Sequence, residues 1–192
     1  AQFLYGGAGN DDITVSVRVR GRDPLFIAGQ DGNDRLQGGR GDDVVIGGRG
    51  EDNIDGEEGD DRLDGDADDV DRDGLPDPDT QDESIGEDDV IDGDDGDDTI
   101  FGRGGDDVLL GGFGDDVLSG GDGDDFLSAG FDDDQLFGGN GEDALNGSFG
   151  NDTLSGGEGD DILNGGQDDD LLLSDPGADV LLSGSGLDTV DY

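Results

Sequence analysis

The sequence predicts an all-β solenoid, a stack of short strands joined by tight turns, and three observations predict it. The chain of 192 residues repeats with a period of nine over most of its length, and two columns of that repeat never change in kind. The third observation is composition: 42 glycines accompany a formal net charge of −46, with 55 Asp and Glu against nine basic residues, all of them Arg. With 29% apolar residues, such a chain buries too little surface to offset its conformational entropy. Either it is a disordered polyanion, or positive charge from outside the chain completes it.

The elements follow in order. A first repeat, "GGAGNDDIT", spans 6–14. Residues 15–28, "VSVRVRGRDPLFIA", interrupt it. There Val15, Val17 and Val19 alternate with Ser16, Arg18 and Arg20, the period-two pattern of a half-buried strand. A short hairpin returning through "GRDP" to "LFIA" is expected, packed against or capping the early repeats, with contact to another protein as the alternative. Four repeats fill 29–64, an acidic insertion occupies 65–83, and twelve unbroken repeats run from Ser84 to Asp191. The expected organisation is one continuous solenoid of three parts, 1–64, 65–83 and 84–192, in which 17 repeats cover 153 positions.

Within each row the sixth position is always Asp: Asp11, Asp34, Asp43, Asp52 and Asp61, then Asp89, Asp98, Asp107, Asp116, Asp125, Asp134, Asp143, Asp152, Asp161, Asp170, Asp179 and Asp188. The eighth is always aliphatic, from Ile13 through Leu118 to Val190. Low-complexity acidic sequence would not hold both columns in phase. Glycine at positions one, two and four permits positive φ and close backbone approach. Alternation along a short strand turns position eight inward and seven and nine outward. One aliphatic side chain per row is a thin core, too small to stabilise so charged a chain by itself.

The repeated GGxGxDxUx pattern, seen in "GGFGDDVLS" at 111–119 and "GGDGDDFLS" at 120–128, resembles the RTX nonapeptide family over about four fifths of the chain. The resemblance implies a right-handed parallel β-roll in which six residues turn, three form a strand, and two rows make one coil. It further implies calcium ions held between turns stacked 18 residues apart. For the row at 111–119 it implies the carbonyls of Gly112 and Gly114 and the carboxylate of Asp116, met by the carbonyls of Ala129 and Phe131 and the carboxylate of Asp134. On the other side the same rule sets Gly121 and Gly123 against Gly138 and Asn140, then Gly139 and Gly141 against Gly156 and Glu158. The neighbouring Asp115 is expected to face solvent.

Calcium agrees with the donor chemistry. It is a hard cation taking about six to eight oxygens, whereas His and Cys, the ligands zinc and copper prefer, are absent. Twelve unbroken rows leave ten interlayer gaps, and the whole array leaves fifteen if both interruptions loop out, so roughly 10 to 16 ions are expected. Fifteen would reduce the charge of −46 to −16.

A coil of two rows also predicts features at a spacing of 18. Phe113, Phe131 and Phe149 occupy position three of alternate rows and should stack about 4.8 Å apart. Position seven of the other rows reads Val90, Val108, Phe126, Ala144, Ile162 and Val180, an apolar stripe serving either strand propensity or docking of a neighbouring domain or second copy. Inside the insertion, "DVDRDGLPD" fits the start of an EF-hand-type loop, with Asp69, Asp71, Asp73, the carbonyl of Leu75, and Asp77. Thr80 stands where a bidentate Glu is expected, so the loop more closely resembles the DxDxDG loops of thrombospondin type 3 repeats, completed by Asp79, Asp82 or Glu83. Weak or distorted turns are expected where Glu87, Asp132 and Asp168 replace the fourth glycine, and in the rows at 84–92 and 174–182.

Several functions are excluded by composition. A polyanion lacks the basic footprint that nucleic acid requires. No apolar stretch reaches membrane-spanning length, no signal-peptide pattern opens the chain, and with no Met a fragment or processed piece of something longer is expected. Without His, Cys, Lys or a GxSxG elbow, no catalytic constellation is expected. The resemblance implies a calcium-binding module that folds after export, by type I secretion, within a larger extracellular protein such as a toxin or hydrolase. The alternative is a structural cell-surface protein, an adhesin stalk or surface-layer component.

Overall fold

A computed structural model of the chain describes residues 2–14, 24–65 and 86–191, and among these it contains nineteen strands. They are β1 (Gln2–Ala8), β2 (Asp12–Thr14), β3 (Leu25–Asp31), β4 (Arg35–Arg40), β5 (Val44–Arg49), β6 (Asn53–Glu58), β7 (Arg62–Asp64), β8 (Val90–Asp95), β9 (Thr99–Gly104) and β10 (Val108–Phe113). There follow β11 (Val117–Asp122), β12 (Phe126–Phe131), β13 (Gln135–Asn140), β14 (Ala144–Phe149), β15 (Thr153–Glu158), β16 (Ile162–Gln167), β17 (Leu171–Leu173), β18 (Val180–Ser185) and β19 (Thr189–Asp191). Odd strands form a ten-stranded sheet and even strands a nine-stranded sheet, each in sequence order. Every pairing is parallel, with partners such as Leu109↔Leu127 and Leu118↔Leu136. Each strand therefore pairs with the row two away, while the row between lies on the facing sheet. That is a β-roll coil of two nonapeptides.

The position-eight column is the core. Leu36, Ile91, Ile100, Leu109, Leu118, Leu127 and their counterparts are inaccessible to solvent and form one continuous cluster between the sheets. The strands are longer than the expected three residues. Most span six, and β10 takes positions seven to nine of one row and one to three of the next. The parallel ladder runs on through the leading glycines, because a left-handed residue at position two kinks the strand without ending it.

The first interruption differs from the expected hairpin. Leu25–Ala28 lie in β3, whose two edges are both occupied by parallel partners: Ile27 pairs with Leu4 on one side and Val45 on the other. No edge is left for an antiparallel arm in that sheet, and Ile27 is a core residue. Partners across this point, such as Ile13↔Leu36, are 23 residues apart rather than 18, so five residues are added to the coil. The remainder of the hairpin reading, 15–23, lies outside the described residues. Strand β1 was not anticipated, although continuing the frame back one row places Leu4 at position eight.

Across the second interruption, Ile54↔Ile91 and Leu63↔Ile100 keep the pairing phase at a separation of 37, one coil plus nineteen residues. Gly65 remains in the roll as position one of the turn ending at Asp89, with its backbone N–H donating to Phe101. The frame thus breaks after Gly65, one residue later than expected. The DxDxDG residues Asp69, Asp71, Asp73, Leu75 and Asp77 lie outside the described residues. At the splice, buried Asp64 accepts from Arg62 Nη2 at 2.9 Å and from Arg103 Nε and Nη2 at 3.0 and 2.9 Å. Both guanidiniums sit over the Phe101 ring, at 4.8 and 5.5 Å. This cluster ties the coil before the insertion to the coil after it.

The outer faces follow the 18-residue period. Phe113, Phe131 and Phe149 stack with centroids 4.8 and 4.9 Å apart and planes within 6°. The position-seven stripe aligns in register from Val90 to Val180 on the nine-stranded sheet. On the ten-stranded sheet, outward-pointing Phe26, Ala28 and Ile46 form a second small buried cluster with Val44, which the repeat pattern did not indicate. Asp132 and Asp168 adopt left-handed φ of 79° and 75°, while Glu87 does not, in keeping with the larger cost of a long side chain there. The row at 174–182 is distorted as expected: Gly177 is not left-handed, β17 has three residues, and Gly159 N–H reaches Pro176 O at 3.3 Å.

Candidate metal centre

The turn at 111–116 illustrates how the repeat brings oxygens of two successive turns together. Gly112 and Gly114 have φ of 119° and 124°, a region open to glycine. This conformation aims the position-two and position-four carbonyls along the solenoid axis at the next turn. A Cβ on Gly130 would strike Gly112 O, and one on Gly114 would strike Gly96 O and lie 2.9 Å from Asp97 Oδ1. From the opposite side Ala129 O points back, 2.6 Å from where a Cβ on Gly111 would stand, and Asp116 Oδ2 occupies the same place. At Gly111 the oxygens of two turns thus crowd the place that a position-one side chain would take.

The position-six Asp is stitched into the stack by one oxygen only. Asp116 Oδ1 accepts from Asp98 N–H at 2.8 Å, and Asp134 Oδ1 accepts from Asp116 N–H at 2.7 Å. The pattern bridges the insertion unchanged, with Asp52 N–H to Asp89 Oδ1 and Asp61 N–H to Asp98 Oδ1 both at 2.7 Å. The other oxygen, Oδ2, is buried without any hydrogen-bond partner in fifteen of these residues among those described, every one from Asp11 to Asp170. Asp179 and Asp188, in the last described turn of each stack, are the exceptions. Each orphaned oxygen therefore marks one interlayer gap. Leaving buried carboxylate oxygens unpaired costs several kcal/mol each, on the order of 1–3 even for neutral groups.

The electrostatics tell the same story. Burial, reinforced by neighbouring carboxylates, pushes Asp98 and Asp134 up to about 8 against the pull of one backbone N–H. The same causes raise Asp52, Asp61, Asp116 and Asp125 to about 7, and Asp143 and Asp152 to about 6. Without a cation, these acids are held in an environment that disfavours their charge.

The remaining candidate residues fall in equivalent places. Gly121 O and Gly123 O abut the α-carbons of Gly139 and Gly141, and Gly139 O and Gly141 O abut those of Gly157 and Gly159. Gly138 O faces Gly120 beside Asp125 Oδ2, and Gly156 O faces Gly138 beside Asp143 Oδ2. Asn140 O and Glu158 O at position three each accept a position-four N–H at 2.8 Å, so one lone pair of each is already engaged. Position five carries a role that the sequence alone did not indicate. Asp115, although exposed, accepts Asp133 N–H through Oδ1 at 3.1 Å, and Asp97 likewise accepts Asp115 N–H at 3.0 Å. Position five reaches toward the later turn and position six toward the earlier one.

A parallel β-solenoid whose stacked turns bring regularly spaced acidic oxygens together defines a class of cation-binding repeat proteins. The chain belongs to the RTX calcium-binding nonapeptide repeat family, whose model matches residues 3–15, 26–54, 41–69, 86–118, 110–145, 119–154, 137–172 and 155–190. No curated protein matches it. The family's repeats bind calcium, its roll is a structural rather than catalytic fold, and it is typical of secreted proteins. Among the described residues no helix is long and apolar enough to cross a membrane.

Proposed function

We propose that this chain is a roll assembled by calcium outside the cell, one ion in each gap, within a larger exported protein. The observation that carries the reading is the set of fifteen buried, unpartnered Asp oxygens, thirteen of which share the space beside a position-one glycine with a backbone carbonyl of the next turn. For the gap above Asp116, the ligands are the carbonyls of Gly112, Gly114, Ala129 and Phe131 with the carboxylates of Asp116 and Asp134. The same set recurs at each position-six Asp, including Gly121, Gly123, Gly138 and Asn140, then Gly139, Gly141, Gly156 and Glu158. Asp179 and Asp188 complete the gaps formed with the turns before them. A bound Ca²⁺ supplies the charge that the buried acids lack.

The chain's own groups do the rest. Left-handed glycines hold carbonyls in the gap, and the Asp Oδ1 contacts fix register between turns of the folded roll. In the unfolded polyanion these oxygens are far apart, so binding and folding are a single process. Within the insertion, Asp69, Asp71, Asp73, the Leu75 carbonyl and Asp77 hold a further ion, a reading supported by their spacing alone. Calorimetric titration of the full chain, with native mass spectrometry to count ions, tests the assignment. A stoichiometry of about fifteen or sixteen supports it, and fewer than about five contradicts it.

A further inference from the structure

The two sheets carry the same turns but present different outer faces. On the nine-stranded sheet the position-seven residues from β8 to β18 are Val90, Val108, Phe126, Ala144, Ile162 and Val180, in register; Phe126, Ile162 and Val180 are 45–49% exposed. On the ten-stranded sheet the corresponding stretch reads Thr99, Val117, Gln135, Thr153, Leu171 and Thr189.

Charge accompanies the apolar stripe. Two residues before each of its first five members lies an exposed acidic position-five side chain, giving Asp88, Asp106, Asp124, Glu142 and Asp160 in a row, while Ala178 precedes Val180. Asp88, Asp106 and Asp124 each use Oδ1 to accept the N–H of the next member, at 2.8–2.9 Å, which aligns the row along the solenoid axis. Consecutive α-carbons are about 3.8 Å apart, so residues two apart lie within about 7.6 Å, and the carboxylate row in the bends borders the first five rungs of the stripe. Calcium in the gaps offsets the position-six acids and part of the remaining charge, yet fifteen ions still leave the chain at −16, so the face stays anionic.

We propose that this face docks a cationic amphipathic helix of a partner protein, its apolar side on the stripe and its Lys or Arg flank against the carboxylate row. Six rungs span about 24 Å, the length of a helix of about 16 residues, and the rung spacing of about 4.8 Å is close to the helical pitch of about 5.4 Å. A second copy fits poorly, because pairing two such faces brings two carboxylate rows together. Anionic lipid and nucleic acid are repelled for the same reason. The inference rests on the calcium-loaded roll, whose folding is read separately.

The test uses the full chain in calcium and a fluorescent peptide of about 18 residues, built only of Leu and Lys as an amphipathic helix, with a scrambled peptide of equal composition. At about 0.15 M salt the amphipathic peptide is expected to bind at least about tenfold more tightly than the scramble. Joint substitution Phe126→Ser and Ile162→Ser removes that margin, while Gln135→Ser with Thr153→Ser on the other sheet preserves it. Circular dichroism in calcium verifies that the variants fold, and Phe126→Thr, which keeps a strand-forming residue, replaces any that do not. Equal binding of both peptides, or a margin that survives Phe126→Ser and Ile162→Ser, overturns the proposal. So does calcium-loaded self-association abolished by those substitutions, which assigns the face to a second copy.

Discussion

Asp115 and Asp116 are adjacent and chemically identical, yet the turn gives them opposite tasks. Asp116 is buried with one oxygen unpartnered, whereas Asp115 is exposed and bonds the next turn. Asp116→Asn is therefore expected to remove about one ion from the calorimetric count and raise the calcium needed for folding, whereas Asp115→Asn, whose amide oxygen still accepts Asp133 N–H, should leave the count unchanged. Acidity follows from the same burial. Without calcium, burial raises the carboxyls of Asp52, Asp61, Asp98, Asp116, Asp125, Asp134, Asp143 and Asp152 above 3.8, to about 8 at Asp98 and Asp134, so the folded chain holds more protons than the unfolded one between those values. Their contribution to stability is thus lost as pH rises through that window and regained on acidification. In a calcium-free buffer, lowering the pH from about 8 to about 5 should increase β-structure by circular dichroism; a decrease would contradict the assignment. Backbone strain is equally local: Gln30 is held at φ 87° with its side chain exposed. Gln30→Gly should stabilise the calcium-loaded roll by about 1 kcal/mol in thermal unfolding.

At the scale of elements, periodicity made the strands legible and chemistry at their ends decided their length. The aliphatic eighth position foretold a buried column that Leu109, Leu118 and Leu127 fill. The extension of each strand through positions one to three was not legible, because glycine pairs read as turn and give no sign that their ladder continues. Nor was the role of "LFIA": Leu25 replaces the sixth-position Asp, which hid the row, although its N–H still donates to Asp43 Oδ1 at 2.7 Å. The charged splice at the insertion was likewise invisible, since Asp64 and Arg103 are 39 residues apart. Asp64→Ala should cost about 2 kcal/mol by leaving two guanidiniums without their shared carboxylate. Excising 66–84, which joins Gly65 to Ile85, should preserve the roll by circular dichroism, because pairing on either side is already in phase. The excised chain should bind about one ion fewer if the DxDxDG loop is a site.

For the molecule as a whole, net charge and repeat geometry are two views of one design. The thin column of aliphatic side chains gives register and a dry interior, but the buried acids flanking it oppose folding until their charge is met. The sequence made the partner's chemistry readable through what it lacked, imidazole, thiolate and lysine, and through the Asp column. It did not reveal which carboxylate oxygen is spent on the backbone and which is free, because that depends on turns 18 residues apart meeting in space. A difference between outer faces also emerges only when alternate rows are assigned to separate sheets. The most direct measurement is circular dichroism of the full chain at neutral pH during calcium titration. A cooperative transition from disordered polyanion to β-structure, reversed by chelator, is the predicted result. β-structure of equal extent before calcium and after chelation would contradict the account.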